Sequence, residues 1–304
     1  MNKHSEIIEL REVDLIKKEM DVLREIESLI GKKLVHVCGD WESMFFTYGF
    51  SVSNNRVSGL NLNECGLSDL PESISNLTSL ENLHVSQNNL THLPESIGNL
   101  NSLERLSLNS NKLIFIPESV GNLTSLLDLY LQGNLLREVP ESIGNLPSLE
   151  NLHVGQNNLT HLPESVGNLK SLTELYLNSN NLNKLPKSIG NLTSLLELYL
   201  QGNILREVPE SIGNLNSLDY LNLAANKLTT LPETISKLHK LRILNLMFNK
   251  SMLLPDSIGK LESLLVLNLR FMNLKTLPDS IGNLSALERL DLMANKLTTL
   301  PKSI

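Results

Sequence analysis

The chain has 304 residues, a formal net charge of −7 and two cysteines. No segment concentrates Lys and Arg, which argues against nucleic acid or an anionic membrane as partner, and no apolar run reaches membrane-spanning length, so no membrane insertion is expected. Cys38 and Cys65 are too few for a disulfide framework, and the charged opening MNKHSEIIELREVD lacks the apolar stretch of a secretory signal, so a cytoplasmic setting is expected.

Residues 1–56 read as an N-terminal cap. Over 5–30, Ile8, Leu15, Ile16, Val22, Leu23, Ile26, Leu29 and Ile30 recur at helical spacing with Lys and Glu opposite, which predicts an amphipathic helix whose broad apolar face docks on a neighbour. Trp41, Phe45, Phe46, Tyr48 and Phe50 then offer an aromatic cap core. The stretch GFSVSNNRVSGLNL alternates apolar residues about Asn54 and Asn55, the pattern of a hairpin leading into the next strand. A stacked array needs its open edge covered, and this segment is placed to do so.

From Val57 to Ile304 the chain keeps one 23-residue register, LxxLxLxxNxLxxLPxSIGNLxS, through eleven units, the last incomplete. Period, asparagine and leucine pattern together identify a leucine-rich repeat. Leu83 with Val85, and Leu129 with Leu131, alternate as inward strand residues, leaving Asn82, His84 and Ser86 outward. The ninth-position asparagine, as in Asn88, Asn180 and Asn203, has donors and an acceptor for turn backbone inside the stack. Pro opens a short helical turn and a glycine such as Gly98 or Gly121 is expected to end it. Three departures stand out: Cys65 and Met272 take the asparagine position, and Ser251 takes that of a core leucine.

The LPxSIGNLxSL units resemble the Ras-group class of leucine-rich repeats, the type found in Scribble, Erbin, plant intracellular Ras-group proteins and many prokaryotic, notably archaeal, arrays. The resemblance covers 57–304. It implies an α/β solenoid, a curved horseshoe with a concave parallel sheet of about eleven strands and short helices on the convex side, serving as a protein-binding scaffold, in several relatives around small GTPases and their regulators.

The array also carries a larger duplication. LENLHVSQNNLTHLPESIGNL at Leu80 returns as LENLHVGQNNLTHLPESVGNL at Leu149, and LYLQGNLLREVPESIGNL at Leu129 returns at Leu198 with one change, so three units were copied as a block.

No phosphate-binding loop, nucleophile elbow or CxxC pair occurs, and the histidines fall on separate units, so no enzyme, cofactor or metal site is expected. The candidate site is a surface. Of the seven aromatic residues beyond the cap, only Phe115 lies away from the outward strand positions or their rim. Exposed aromatics bury large area at low entropic cost, the property of protein-binding hot spots. Two zones are expected: an acidic, aromatic one of Asp128, Tyr130, His153, Glu174, Tyr176, Glu197 and Tyr199, suited to a basic or mixed-charge partner, and a more apolar one of Tyr220, Ile243, Met247, Phe248, Val266, Arg270, Phe271 and Met293. The function expected is a non-enzymatic scaffold for a protein partner. The alternatives are an exported or surface recognition module, and a self-assembling array or homodimer joined through the carboxy-terminal end, where the repeat pattern stops in mid-unit with no cap.

Overall fold

The computed structural model describes residues 7–8, 15–37, 48–250 and 252–304. Trp41, Phe45, Phe46, Cys38 and Ser251 lie outside them. Two compact bodies result, Met1–Leu136 with Asn145–Leu149, and Arg137–Gly144 with Glu150–Ile304.

In the first body a two-residue strand, β1 (Ile7–Ile8), pairs antiparallel with β2 (Val35–Val37), and helix α1 (Lys17–Ile30) runs between them. The helix is shorter than the apolar spacing predicts. Ile8 belongs to the sheet, and Ile16 holds an extended backbone at the helix start, consistent with the weaker helix preference of β-branched residues. Gly31 ends the helix with φ 65°, a left-handed geometry that glycine adopts at little cost. β2 runs parallel to β3 (Gly49–Ser53), which folds back antiparallel on β4 (Arg56–Asn61). Asn54 and Asn55 both have positive φ, 52° and 59°, the turn whose twist matches a two-residue hairpin.

Two buried carboxylates anchor α1, Glu19 to this hairpin and Glu27 to the segment that leads into β2. Glu19, fully buried, accepts hydrogen bonds from Arg56 Nε at 2.6 Å and from the Val57 amide at 2.9 Å, and Glu27 accepts from the Leu34 amide and Lys33 Nζ, each at 2.9 Å. A buried charge without such partners would be strongly destabilising. Phe50 is fully buried and stacks on His36 with ring centroids 5.2 Å apart.

β4 begins a parallel series with β5 (Asn82–His84), β6 (Arg105–Ser107) and β7 (Asp128–Tyr130), in which central leucine pairs with central leucine. The second body repeats the arrangement through β8 (Asn151–His153), β9 (Glu174–Tyr176), β10 (Glu197–Tyr199), β11 (Tyr220–Asn222), β12 (Ile243–Asn245), β13 (Val266–Asn268) and β14 (Arg289–Asp291). Each three-residue strand is answered by a five-residue 3-10 helix entered from Pro, such as Glu95–Asn99 or Glu210–Asn214. Leucines from both sides meet in a closed core, where Leu83, Leu106, Leu175, Leu198 and Leu221 are fully buried. This is the leucine-rich-repeat solenoid.

The ninth-position asparagines form a ladder with built-in redundancy. Asn180 accepts the Leu159 amide at 2.9 Å and donates to the carbonyls of Val154 and Leu177, at 3.0 and 3.1 Å. Asn203 repeats the pattern with the Leu182 amide and the carbonyls of Leu177 and Leu200. Each carbonyl in the run is therefore served by two asparagines, whereas each amide depends on one. Met272 occupies a rung of this ladder, is 1% exposed, and leaves Leu246 and Leu269 with one asparagine each, Asn249 and Asn295. Asn295 also takes the Met272 and Leu274 amides, at 3.2 and 3.0 Å. The substitution thus orphans no carbonyl.

The repeat glycines, expected to end the short helical turn, lie inside the 3-10 helices, one residue before their last. Gly98, Gly190 and Gly213 lack positive φ, and a Cβ on each would collide with the carbonyl oxygen of Ser119, Ser211 and Thr234 in the following unit. Close stacking, not turn geometry, selects glycine. At the far end Leu290, Leu292 and Leu297 are half-buried and Leu300 is 56% exposed.

Candidate protein-binding surface

Outward side chains of β8–β11 form one connected construction. The rings of His153, Tyr176, Tyr199 and Tyr220 stack in sequence, with successive centroids 4.0, 4.0 and 4.7 Å apart. Parallel pairing produces the ladder, because Tyr199 lies directly opposite Tyr176 and the strand spacing of about 4.8 Å is close to ring-stacking distance. Tyr220 lies two residues earlier in its strand than Tyr199 does, opposite Glu197, and reaches the stack diagonally. It belongs with the acidic zone and not, as its unit suggests, with the apolar one.

Glu197 binds the ladder together. One of its oxygens, Oε2, accepts the hydroxyls of Tyr176 at 3.3 Å and Tyr199 at 3.0 Å, and Oε2 of Glu174 lies 3.2 Å from His153 Nε2. Asn222 Nδ2 donates to the Tyr220 hydroxyl at 3.2 Å. Burial first, then the Tyr176 phenol and the Glu197 carboxylate, raises the Tyr199 pKa far above the usual tyrosine range, and burial raises those of Tyr176 and Tyr220. The phenols stay protonated and remain hydrogen-bond donors.

Asp128 and Tyr130 lie on β7 in the first body. Asp128 is 7% exposed and its Oδ2 accepts Arg105 Nε at 2.9 Å, so its charge is already answered. Arg105, absent from the sequence-derived set, also reaches Asn82 Oδ1 at 3.3 Å. The 23-residue offset between Arg105 and Asp128 is the signal that would have found the pair. Asn82, His84 and Ser86, expected on display, are buried at 7%, 8% and 9% exposure. Ser86 and Ser107 share a hydroxyl hydrogen bond of 2.8 Å, and this end of the face is closed over. Burial, and secondarily Arg105, lowers the His84 pKa to about 4.

The apolar zone centres on Phe248 and Phe271. Their rings stack at 4.6 Å and only 8° from parallel, and both residues have positive φ, 62° and 56°, at a seat where other units carry residues such as Gln156, Ser179 or Gly202. Arg270 has its guanidinium 5.7 Å from the Phe271 centroid and 3.7 Å from Asp291 Oδ2. Met247 is half-buried, and Phe248 and Met293 are 39% and 50% exposed. Ile243 and Val266 pair in register behind this edge, half-buried. Sequence reasoning overlooked a further apolar group at the rim of the first body, Ile114, Phe115 and Leu135, all about half exposed.

Among the described residues no group of His, Cys, Asp and Glu is gathered to hold a metal ion, and no helix is long and apolar enough to cross a membrane.

A family model described as a leucine-rich repeat region matches residues 59–134, 128–204 and 197–274. No curated protein matches the chain. Among solved structures, a leucine-rich repeat protein of Leptospira interrogans is 36% identical, with 81% of this chain and 69% of that one covered and a TM-score of 0.70. The plant peptide hormone receptor RGFR1, solved in complex with RGF2, is 27% identical over 83% of this chain, with a TM-score of 0.64, and this chain covers 45% of it. The leucine-rich repeat domain of the type III effector XopL is 28% identical over 69% of this chain and 74% of its own, with a TM-score of 0.63. Such folds generally mediate protein–protein interaction. Repeat pattern, asparagine ladder and family match agree, and the chain belongs to the leucine-rich repeat family.

Proposed function

We propose that this chain is a non-enzymatic scaffold that holds a protein partner against the outward side chains of its strands, with β8–β11 as the principal contact. The observation that carries the reading is the preorganised ring ladder from His153 to Tyr220, locked by Glu197, which offers aromatic contact area whose rotamers are fixed before a partner arrives. The pairing of RGFR1 with RGF2 supports a polypeptide ligand. The Ras-group likeness of the repeats names the first partners to try, a small GTPase or its regulator in the cytoplasm.

The test compares capture from extracts of the source cells by the wild-type chain and by Tyr176→Ala/Tyr199→Ala, followed by binding of each purified partner to both. A partner that binds the wild type at least about tenfold tighter supports the reading. Partners that bind both alike remove this face from the function. The likeness to the effector XopL favours a second reading, an exported recognition module, and finding the chain outside the cell would select it.

A further inference from the structure

We propose that Glu174 and Glu197 together receive a lysine or arginine side chain from a peptide segment of the protein partner. This rests on the scaffold reading and names the chemistry of its ligand.

The two carboxylates face each other in register on neighbouring parallel strands, about 4.8 Å apart at the backbone. Like charges directly opposite in a sheet destabilise it, so a pair held this way asks for a compensating cation. Beyond the His153 imidazole beside Glu174, no ion pair to either carboxylate is present among the described residues. No outward residue of β8–β11 is Lys or Arg, and the partners of both carboxylates, His153, Tyr176 and Tyr199, all approach the Oε2 atoms. No hydrogen bond to either Oε1 is present among the described residues. The phenol oxygens of Tyr176 and Tyr199, donors to Glu197, keep lone pairs beside it. One cationic head would meet several acceptors held by stacked rings that need not reorganise.

The block duplication provides an internal comparison. Arg105 and Asp128 occupy in the first copy the positions that Glu174 and Glu197 occupy in the second, 69 residues later. In the first copy the same backbone closes an ion pair at 2.9 Å; in the second it presents two acids. Ser107, moreover, stands where Tyr176 stands. Features shared by the copies are inherited, whereas this difference removes an internal cation and adds an aromatic wall. Two carboxylates give too few oxygen ligands for a dedicated divalent metal site, which leaves an organic cation as the fitting ligand.

The experiment selects binders from a randomised short-peptide library displayed against the wild-type chain, then measures the affinity of the best peptides for Glu174→Gln/Glu197→Gln, for Glu174→Arg and for Tyr176→Ala. Glu174→Arg rebuilds the closed pair of the first copy. The expected result is enrichment of Lys or Arg among the selected peptides and at least about tenfold weaker binding to both charge variants. Melting temperatures of those variants should be at or above that of the wild type, which separates lost recognition from lost folding. Peptides without Lys or Arg that still depend on Tyr176 would overturn the cation inference and leave the scaffold reading standing. Peptides indifferent to every variant would overturn both, and failure to select any peptide would overturn the inference.

Discussion

Replacing Asn203 by alanine tests how the asparagine ladder distributes its work. The side chain makes three buried hydrogen bonds, accepting the Leu182 amide at 2.9 Å and donating to the carbonyls of Leu177 at 2.9 Å and Leu200 at 3.0 Å. If the three were independent and each left a buried group unsatisfied, the loss would be about 6 kcal/mol. The redundancy changes that sum. After the substitution Leu177 still receives Asn180 at 3.1 Å and Leu200 still receives Asn226 at 3.0 Å, so only the Leu182 amide is orphaned. One orphaned donor, with the second bond lost at two carbonyls, amounts to about 2–4 kcal/mol. Native-state hydrogen exchange is the appropriate assay, because long repeat arrays depart from two-state unfolding and the method reads each amide separately. The Leu182 amide should lose protection by this amount while amides two units away keep theirs. A loss of about 6 kcal/mol, or an equal loss along the array, would refute the redundancy and with it the account of Met272.

Three further outcomes follow from the geometry. The pKa of His84, lowered by burial from 6.5 to about 4, means the unfolded chain binds a proton that the folded one refuses; stability is complete above about pH 6.5 and falls by up to about 3 kcal/mol as pH falls to about 4. His84→Asn should flatten the urea midpoint between those pH values, and parallel curves for wild type and variant would refute the assignment. Gly190→Ala should cost about 1–3 kcal/mol by forcing the following unit away from its Ser211 contact; an unchanged melting temperature would show that the stack has slack. A double-mutant cycle on Phe248→Ala and Phe271→Ala should give a coupling of about 0.5–1.5 kcal/mol, and additive losses would mean the rings do not stack in solution.

The period of the array was legible because each leucine, asparagine and proline answers a need internal to one unit. Strand centres fall on the predicted leucines, and the 3-10 helices begin immediately after the prolines. What escaped notice depends on relations between units. The glycine requirement arises from the backbone of the following unit, so no pattern within one unit distinguishes it from a turn glycine. Tyr220 joins the ring ladder because an aromatic side chain reaches diagonally across a strand pair, which position within a unit does not encode. His84 and Asn82 face the outward side as alternation predicts, yet Arg105 from the next strand bonds Asn82 and the side chains are buried. Helix α1 is shorter than its pattern because periodicity reports a face and not an end, and Ile7–Ile8 satisfy the sheet instead.

The two display zones differ in what they leave unresolved. Phe248 and Phe271 sit in the left-handed region at a cost of about 1–2 kcal/mol each for a residue with a Cβ. Their mutual stacking returns about 0.5–1.5 kcal/mol, the Arg270 guanidinium over Phe271 about 0.5–1 kcal/mol, and partial burial of two large rings a comparable amount. These terms are of similar size, and Arg270 has its counter-charge in Asp291, so the apolar zone is self-sustaining without a ligand. The polar zone has no such closure. Its rings are stacked and its phenols satisfied, yet the Glu174 and Glu197 charges remain opposed across one strand interval with no Lys or Arg on that face. The stable core fixes the backbone on which both zones are displayed. An arrangement preorganised in shape and incomplete in charge gains more from a cationic partner than one already balanced, which is the physical ground for proposing β8–β11, rather than the Phe248–Phe271 edge, as the primary contact.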